Sequence, residues 1–417
     1  MDAGEDALGI KTKDSSLPDT APPPYVPQAT RCVRGADAGA PAPFALPDAG
    51  EAGTTDAGVD AEAIPVPLVL TDQGTVAKLP VFVPITFDGD DLRDPLEDFV
   101  ASVGCTDYWH QVASDYGIGD AVSAAPVHVS DAAPSTISDA QIRGWLGKQL
   151  MNNPSFPAPD GNTVYAIFYP DGTGVTAQFG NGCVSFGGYH SWTTYAGKNV
   201  SYAVIPRCGQ GIDGITGVTS HELIESVTDP GPGGYAAVAD EFIAWALPGS
   251  ASEVGDMCEH SSDANFAPAG YPFVVQRSWS NKASFLGHDP CLPADSPTWF
   301  VAAPVMNDFV NVSFFGQNVL ARGVQIAPGG QKTIDVQMIT DGPMGSWNVG
   351  AQDLTQWTTG VIALKMTLDK TSGQAGDVLH LAITRIGTNT TYGAEPFALH
   401  SQGASGADHV WFGVVGD

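Results

Sequence analysis

The stretch Ser220-His221-Glu222-Leu223-Ile224-Glu225-Ser226-Val227-Thr228-Asp229-Pro230 carries the residue types best suited to chemistry. A helix capped by Ser220 or Thr219 and stopped by Pro230 places His221 and Glu225 on one face, one turn apart, with Glu222 beside them. An imidazole, a carboxylate and an adjacent second carboxylate supply two metal ligands and a base, the minimum for a hydrolytic metal centre. The zinc-peptidase helix has histidines at i and i+4 and a glutamate that acts on the metal-bound water. Here Glu225 stands where the second histidine would be, so the motif is HExxE. The expected cofactor is zinc, with another divalent metal as the alternative, and the expected general base is Glu222.

Zinc takes a third protein ligand and keeps one position for water. Glu253 and Asp256, at i and i+3 in Glu253-Val254-Gly255-Asp256-Met257-Cys258, are the candidates. Asp256 is preferred because it sits nearer Cys258, with Glu253 close behind. His190 has three open readings: ligand, hydrogen-bond donor to a transition state alongside Tyr189, or core histidine. Asp229 lies two turns from His221, about 12 Å along an unbroken helix, too far to share its ion, and is read as part of the helix stop. His110, His128, His380, His400 and His409 read as structural or surface. One imidazole and two carboxylates leave the ion less positive than two imidazoles do, and its water less acidic. A slow hydrolase and a non-catalytic structural metal therefore both fit.

The elements that must position these groups can be read coarsely. Leu79 to Thr86 reads as a strand, with Pro80 and Pro84 suggesting an edge or sheet end. Pro95 opens a helix with Leu96, Phe99 and Val100 on one side. Ser138 caps another, with Ile142, Trp145, Leu146 and Leu150 as its apolar stripe. Val164–Tyr169 and Val200–Ile205 read as strands. The acidic run Asp88 to Asp94 misses the spacing of a calcium loop and reads as a solvated turn with a helix cap. The order of elements predicts an α+β metallopeptidase-like domain over residues 65–296. From about Pro297, alternating segments such as Thr333–Met338, Leu364–Asp369, Leu379–Arg385 and His409–Val415 predict an antiparallel, Ig-like β-sandwich over 297–417. Residues 1–64, rich in Ala, Asp, Gly and Pro and poor in large apolar residues, are expected to be a disordered tether pinned at most at Cys32.

Composition bounds the partners. The 417 residues include 46 acidic and 17 basic side chains, a net charge of −29, which argues against nucleic acid and anionic membrane surfaces. No apolar run approaches the roughly 20 residues of a membrane span. The start lacks the basic and apolar regions of a secretory signal, while the leader resembles the spacer after a cleaved signal or a lipid anchor. An exported protein, extracellular or at the cell surface, is expected. The six cysteines are dispersed, which suits disulfides rather than a metal knuckle. Chain order suggests Cys183 with Cys208, Cys258 with Cys291, and Cys32 with Cys105, among fifteen formal pairings.

The combination of motifs resembles the EXORDIUM, or phosphate-induced, family of secreted plant proteins and its bacterial relatives. The resemblance rests on His221-Glu222-Leu223-x-Glu225, Thr228-Asp229-Pro230 and Glu253-Val254-Gly255-Asp256-x-Cys258. It also rests on Gly182-Cys183 to Tyr189-His190, Tyr202–Ile205, Val81–Phe87 with Gly89-Asp90, Asp98-Phe99-Val100 and Tyr108-Trp109. It spans about residues 79–293. The chain departs from the family pattern in Gly188-Tyr189 before His190 and in a long Ala/Gly insertion between Pro230 and Glu253. The resemblance implies an extracellular protein with a metallopeptidase-like core and makes His190, His221, Glu222, Glu225, Glu253 and Asp256 the residues of interest. The functional expectation is a secreted zinc-dependent hydrolase, a peptidase acting on a peptide or protein. The alternative is a non-enzymatic binding protein of the cell surface, engaging a surface polymer and keeping a structural metal site.

Overall fold

The computed structural model describes residues 25–45, 65–71, 74–249, 252–294, 296, 298–389 and 391–417. In the first part of the chain the elements are β1 (Val81–Phe87), α1 (Arg93–Ser102), α2 (Asp107–Ala113), β2 (Val122–Ser123) and β3 (Val127–Val129). Then come α3 (Asp139–Asn152), β4 (Thr163–Tyr169), β5 (Tyr189–Tyr195), β6 (Lys198–Pro206), α4 (Ile212–Thr228), α5 (Asp256–Glu259) and β7 (Val275–Gln276). The main sheet runs β2-β1-β4-β6-β5, with β3 also paired to β1. Its strands are parallel except for β5, which lies antiparallel on β6 at the edge.

This sheet differs from the expected α+β arrangement in being mostly parallel and covered on both faces. Phe82, Val164, Ala166, Phe168, Ala203 and Ile205 face the layer that contains α1, α2 and α4. The alternate residues Val83, Ile85, Tyr165, Ile167, Tyr202 and Val204 join Ile142 and Leu146 of α3 on the other side. Burial on both faces explains the near-continuous apolar runs of β4 and β6. Ser138 caps α3 through a capping box with Gln141, as its sequence indicates.

Pro84 does not put β1 at an edge. The carbonyls of Pro80 and Phe82 accept from Val122 and Ala124, so even-numbered backbone groups of β1 face β2 and β3. Pro84 falls between the β2 pairing at Val81–Phe82 and the β3 pairing at Ile85–Phe87, where no ladder donor is needed.

The leader is also different where it is described. Residues 25–45 lie against the domain: Tyr25 Oη donates to Asp98, Arg31 to the Ser123 carbonyl, and Arg34 to the carbonyls of Pro80 and Asp120. Phe44 meets Phe285 at 5.9 Å between ring centroids. These contacts, with the Cys32–Cys105 disulfide, offset the ordering entropy that composition alone suggests would win. The rest of the expected tether, residues 1–24 and 46–64, lies outside the described residues. The other two disulfides are Cys183–Cys208 and Cys258–Cys291.

The C-terminal part is a β-sandwich. One sheet contains β8 (Phe300–Pro304), β11 (Gln331–Thr340), β14 (Val378–Arg385) and β13 (Leu364–Leu368). The other runs β9 (Asp308–Phe314), β10 (Gln317–Gln325), β16 (Asp408–Gly416), β15 (Glu395–Gln402) and β12 (Trp347–Asp353), finishing with Ser372–Gly373. All pairs are antiparallel except β10 with β16. The sandwich does not hang free. Trp245 packs edge-on against Trp279, Trp411 and Phe412, and Tyr392 donates to the Leu247 carbonyl.

Candidate metal centre

Helix α4 begins at Ile212, two turns before the expected cap, and its cap residue is Gly211. Gly214, Thr216, Gly217 and Thr219 are weak helix formers, so this first half is held by packing rather than propensity. Gly217 and Thr219 are buried, and Thr219 returns a hydrogen bond to the Ile215 carbonyl. The helix ends at Thr228, and Asp229 leaves the helical conformation before Pro230.

The periodicity does what its spacing indicates. His221 Nε2 lies 3.0 Å from Glu225 Oε2 and 3.5 Å from Asp256 Oδ1. Two ligands of one tetrahedral zinc ion, each about 2.0–2.1 Å from it, stand about 3.3 Å apart, so these separations fit a single cation. The donor atoms of His221, Glu225 and Asp256 all lie within 4.8 Å of one another. Glu253 does not complete this set. Its Oε2 lies 3.2 Å from His190 Nε2 instead, and Glu253 groups with His190 and Asp229.

Each arm of the centre has its own anchor. Glu225 Oε1 accepts from the backbone N–H of Gly255 at 2.9 Å and of Asp256 at 3.2 Å, which fixes α5 over α4. Only glycine fits at 255, because a Cβ there would stand 2.8 Å from both Glu225 Oε1 and His221 Nδ1. The Cys258–Cys291 disulfide and the Trp279 N–H to Val254 carbonyl bond hold the same segment from behind. His190 comes from edge strand β5, opposite Ala203 of β6. Its Nδ1 lies 3.5 Å from Glu225 Oε2 and 3.7 Å from Glu222 Oε2.

Burial sets the electrostatics. It pulls the His190 imidazole down, but Glu253, Glu222 and Glu225 outweigh it and hold that ring well above its usual range. His221 behaves alike, with Glu225, Glu222 and Asp256 as the opposing charges. Burial pushes Glu222 up, Glu253 well up, and Asp256 to about 8. Glu225 goes the other way: burial raises it, yet His221 and His190 together hold it well below the usual carboxylate range. Glu222 is 4% exposed, and its Oε2 accepts no hydrogen bond.

No protein-family model matches the chain, and no curated protein matches it. Among solved structures, the chain is similar to a chimeric titin Z1Z2 protein at 11% identity, covering 28% of this chain and 94% of that one, TM-score 0.16. A titin M10–obscurin-like 1 Ig complex gives 12% identity over 29% of this chain and 92% of that one, TM-score 0.15. OgpA from Akkermansia muciniphila gives 9% identity over 83% of this chain and 95% of that one, TM-score 0.20.

The sequence-predicted residues His190, His221, Glu222, Glu225, Glu253 and Asp256 thus meet in one cleft of about 850 Å³. Three contributors escape a reading of the sequence. Asp229 stays away from His221, as helix geometry demands, but its turn out of the helix brings it to His190 and Glu253. Gln276 of β7, an uncharged residue on a two-residue strand, reaches His221 Nδ1 at 2.8 Å. Phe315, from the sandwich hairpin between β9 and β10, lines the cleft as well. Tyr189 is not available to steady an oxyanion, because its hydroxyl donates to Asp139 at 3.0 Å.

Proposed function

We propose that this chain is an exported metal-dependent hydrolase of peptides or proteins, with zinc held by His221, Glu225 and Asp256. The observation that carries the reading is the convergence of those three donors in the cleft that Glu222 also lines, with a Glu222 Oε2 that accepts no hydrogen bond. A divalent ion there supplies Lewis acidity toward a water and a carbonyl. Glu222, shut away from solvent and raised by burial, is suited to take the proton from the attacking water and return it to the leaving amine. Asp256 is placed by the Glu225 contacts to α5 and by the Cys258 disulfide.

Peptide as substrate is favoured by strand β5. It carries His190 into the cleft and pairs only with β6 among the described residues, leaving its outer edge for an extended chain to join as a further strand. Three disulfides suit an oxidising compartment, and no helix among the described residues is long and apolar enough to cross a membrane. The likeness to EXORDIUM proteins is part of this proposal and rests on the motifs quoted above.

The test is cleavage of a diverse peptide library by zinc-loaded protein. Wild type cleaves; Glu222→Gln keeps its zinc and loses about 10²–10⁴-fold in rate; Glu225→Ala loses the zinc. Undiminished cleavage by Glu222→Gln, or none by metal-loaded wild type, overturns the reading.

A further inference from the structure

The same cleft holds more negative charge than one ion balances. Glu222, Glu225, Glu253, Asp256 and Glu259 line it together with two imidazoles, Asp229 stands by His190 and Glu253, and among the described residues no Lys or Arg lines the cleft. One divalent cation leaves most of these six carboxylates without a metal partner in a largely buried site, which is costly. A second cation reduces that imbalance.

The arrangement of His190 shows where the second would sit. Its ring is 10% exposed, and its two nitrogens face different carboxylates: Nδ1 toward Glu225 and Glu222, Nε2 toward Glu253 at 3.2 Å. That last separation again matches two ligands of one ion. Donor atoms of His190, Asp229 and Glu253 lie within 4.8 Å of one another. Glu253 Oε2 is closed to solvent and accepts no hydrogen bond, and the nine-tenths-buried Glu222 beside His190 has a free Oε2 as well. The two oxygens stand at opposite nitrogens of one imidazole, each within ion-pair range and neither hydrogen-bonded, and the Glu253 oxygen on the Nε2 side therefore keeps a lone pair for a cation.

We propose that His190, Asp229 and Glu253 hold a second divalent cation beside the one assigned to His221, Glu225 and Asp256, a pairing that rests on the functional reading above. With its Nε2 turned to the second site, His190 carries its proton on Nδ1 and donates toward Glu225, itself a ligand of the first. The imidazole therefore links the two positions, and the His190 side chain acts as a ligand rather than as a donor to a transition state.

Metal counting on the full chain decides this without reference to activity. Chelator-stripped protein is titrated with zinc chloride by calorimetry, and the bound ion is counted by native mass spectrometry after desalting. Wild type is expected to take two equivalents and the Asp229→Asn/Glu253→Gln double variant one, while Glu225→Ala keeps the second and loses the first. Circular dichroism confirms that each variant is folded, and the wild-type count stands without any variant. A wild-type count of one overturns the second site and leaves the first standing. Two equivalents retained in the double variant place the extra ion elsewhere and overturn the proposal too. A count of zero removes both sites.

Discussion

The side-chain nitrogen of Gln276 lies 2.8 Å from His221 Nδ1 and 3.0 Å from the carbonyl oxygen of Gly255. One amide therefore braces the ring of the helix histidine and the loop that carries Asp256. Its own strand is fixed to α4, since the Gln276 N–H donates to Ser220 Oγ at 2.8 Å, and Tyr108 Oη donates to its carbonyl at 2.8 Å. With a cation held at His221 Nε2, the ring proton would sit on Nδ1, and the amide would turn its oxygen to receive it at the expense of its bond to the Gly255 carbonyl. Gln276→Leu is expected to weaken zinc binding about 10–100-fold, the usual cost of losing the partner of a ligand histidine. Gln276→Glu, which still accepts that proton but cannot donate to the Gly255 carbonyl, should bind more tightly than Gln276→Leu. Calorimetric titration of both variants checks this; an unchanged Kd in Gln276→Leu denies the bracing role.

The Cys258–Cys291 disulfide predicts a separation of stability from binding. By loop entropy it and Cys32–Cys105 should each contribute about 3–4 kcal/mol or slightly more, with the longer Cys32 loop contributing the greater share. Only Cys258 sits two residues from Asp256, whereas neither Cys32 nor Cys105 lines the cleft. Replacing either pair with alanines should lower the denaturation midpoint by similar amounts. Zinc affinity should fall only in the Cys258→Ala/Cys291→Ala protein.

What the sequence discloses and what it hides divide along physical lines. His221, Glu222 and Glu225 are legible because a helix fixes their relations within one turn, and Asp256 because a cysteine marks its segment. The cysteine pairing is legible because chain-neighbouring pairs close the shortest loops. The first half of α4 is not, since its glycines and threonines argue against the helix that burial enforces. The parallel sheet is not, since Pro84 looks like an edge signal until the gap between β2 and β3 is seen. Gln276, Asp229 and Phe315 are hidden for one reason: each reaches the cleft through a tertiary contact that leaves no local pattern.

A pH dependence follows from the junction between the two parts of the chain. The His409 ring packs edge-on to Phe300 at 4.7 Å, beside Trp299 and Phe412. Burial holds its pKa below the ordinary histidine value of about 6.5, outweighing the nearby carboxylates Asp263, Asp408 and Asp341. The unfolded chain therefore binds this proton more readily than the folded one. The sign is that of a depressed group: its stabilising effect is complete above about pH 6.5 and is lost as pH falls through the folded value. Thermal midpoints should decline below about pH 6.5, and His409→Gln should give a flatter curve over that window. Equal slopes in the two proteins would assign the decline to other groups.

Phe315 ties the sandwich to the cleft. It is 75% exposed, holds φ at 45°, and touches Phe314 at 4.5 Å between ring centroids. A bulky residue with positive φ is uncommon, and such strain is kept where the side chain is used. Phe315 lines the same cleft as Phe179, Phe186 and His190, so it is placed to cover an apolar part of a bound peptide. Phe315→Ala removes about 1–2 kcal/mol of such contact, which corresponds to a rise in KM on the order of ten-fold. Because Phe315 touches none of the metal-ligating groups in hydrogen-bond or ion-pair contact, kcat and zinc stoichiometry should stay as in wild type. The same substitution relieves little of the backbone strain, whereas Phe315→Gly removes it. If Phe315→Gly stabilises the fold while both changes raise KM alike, the strained ring is retained for substrate, whereas an unchanged KM in both would leave the hairpin without a part in binding.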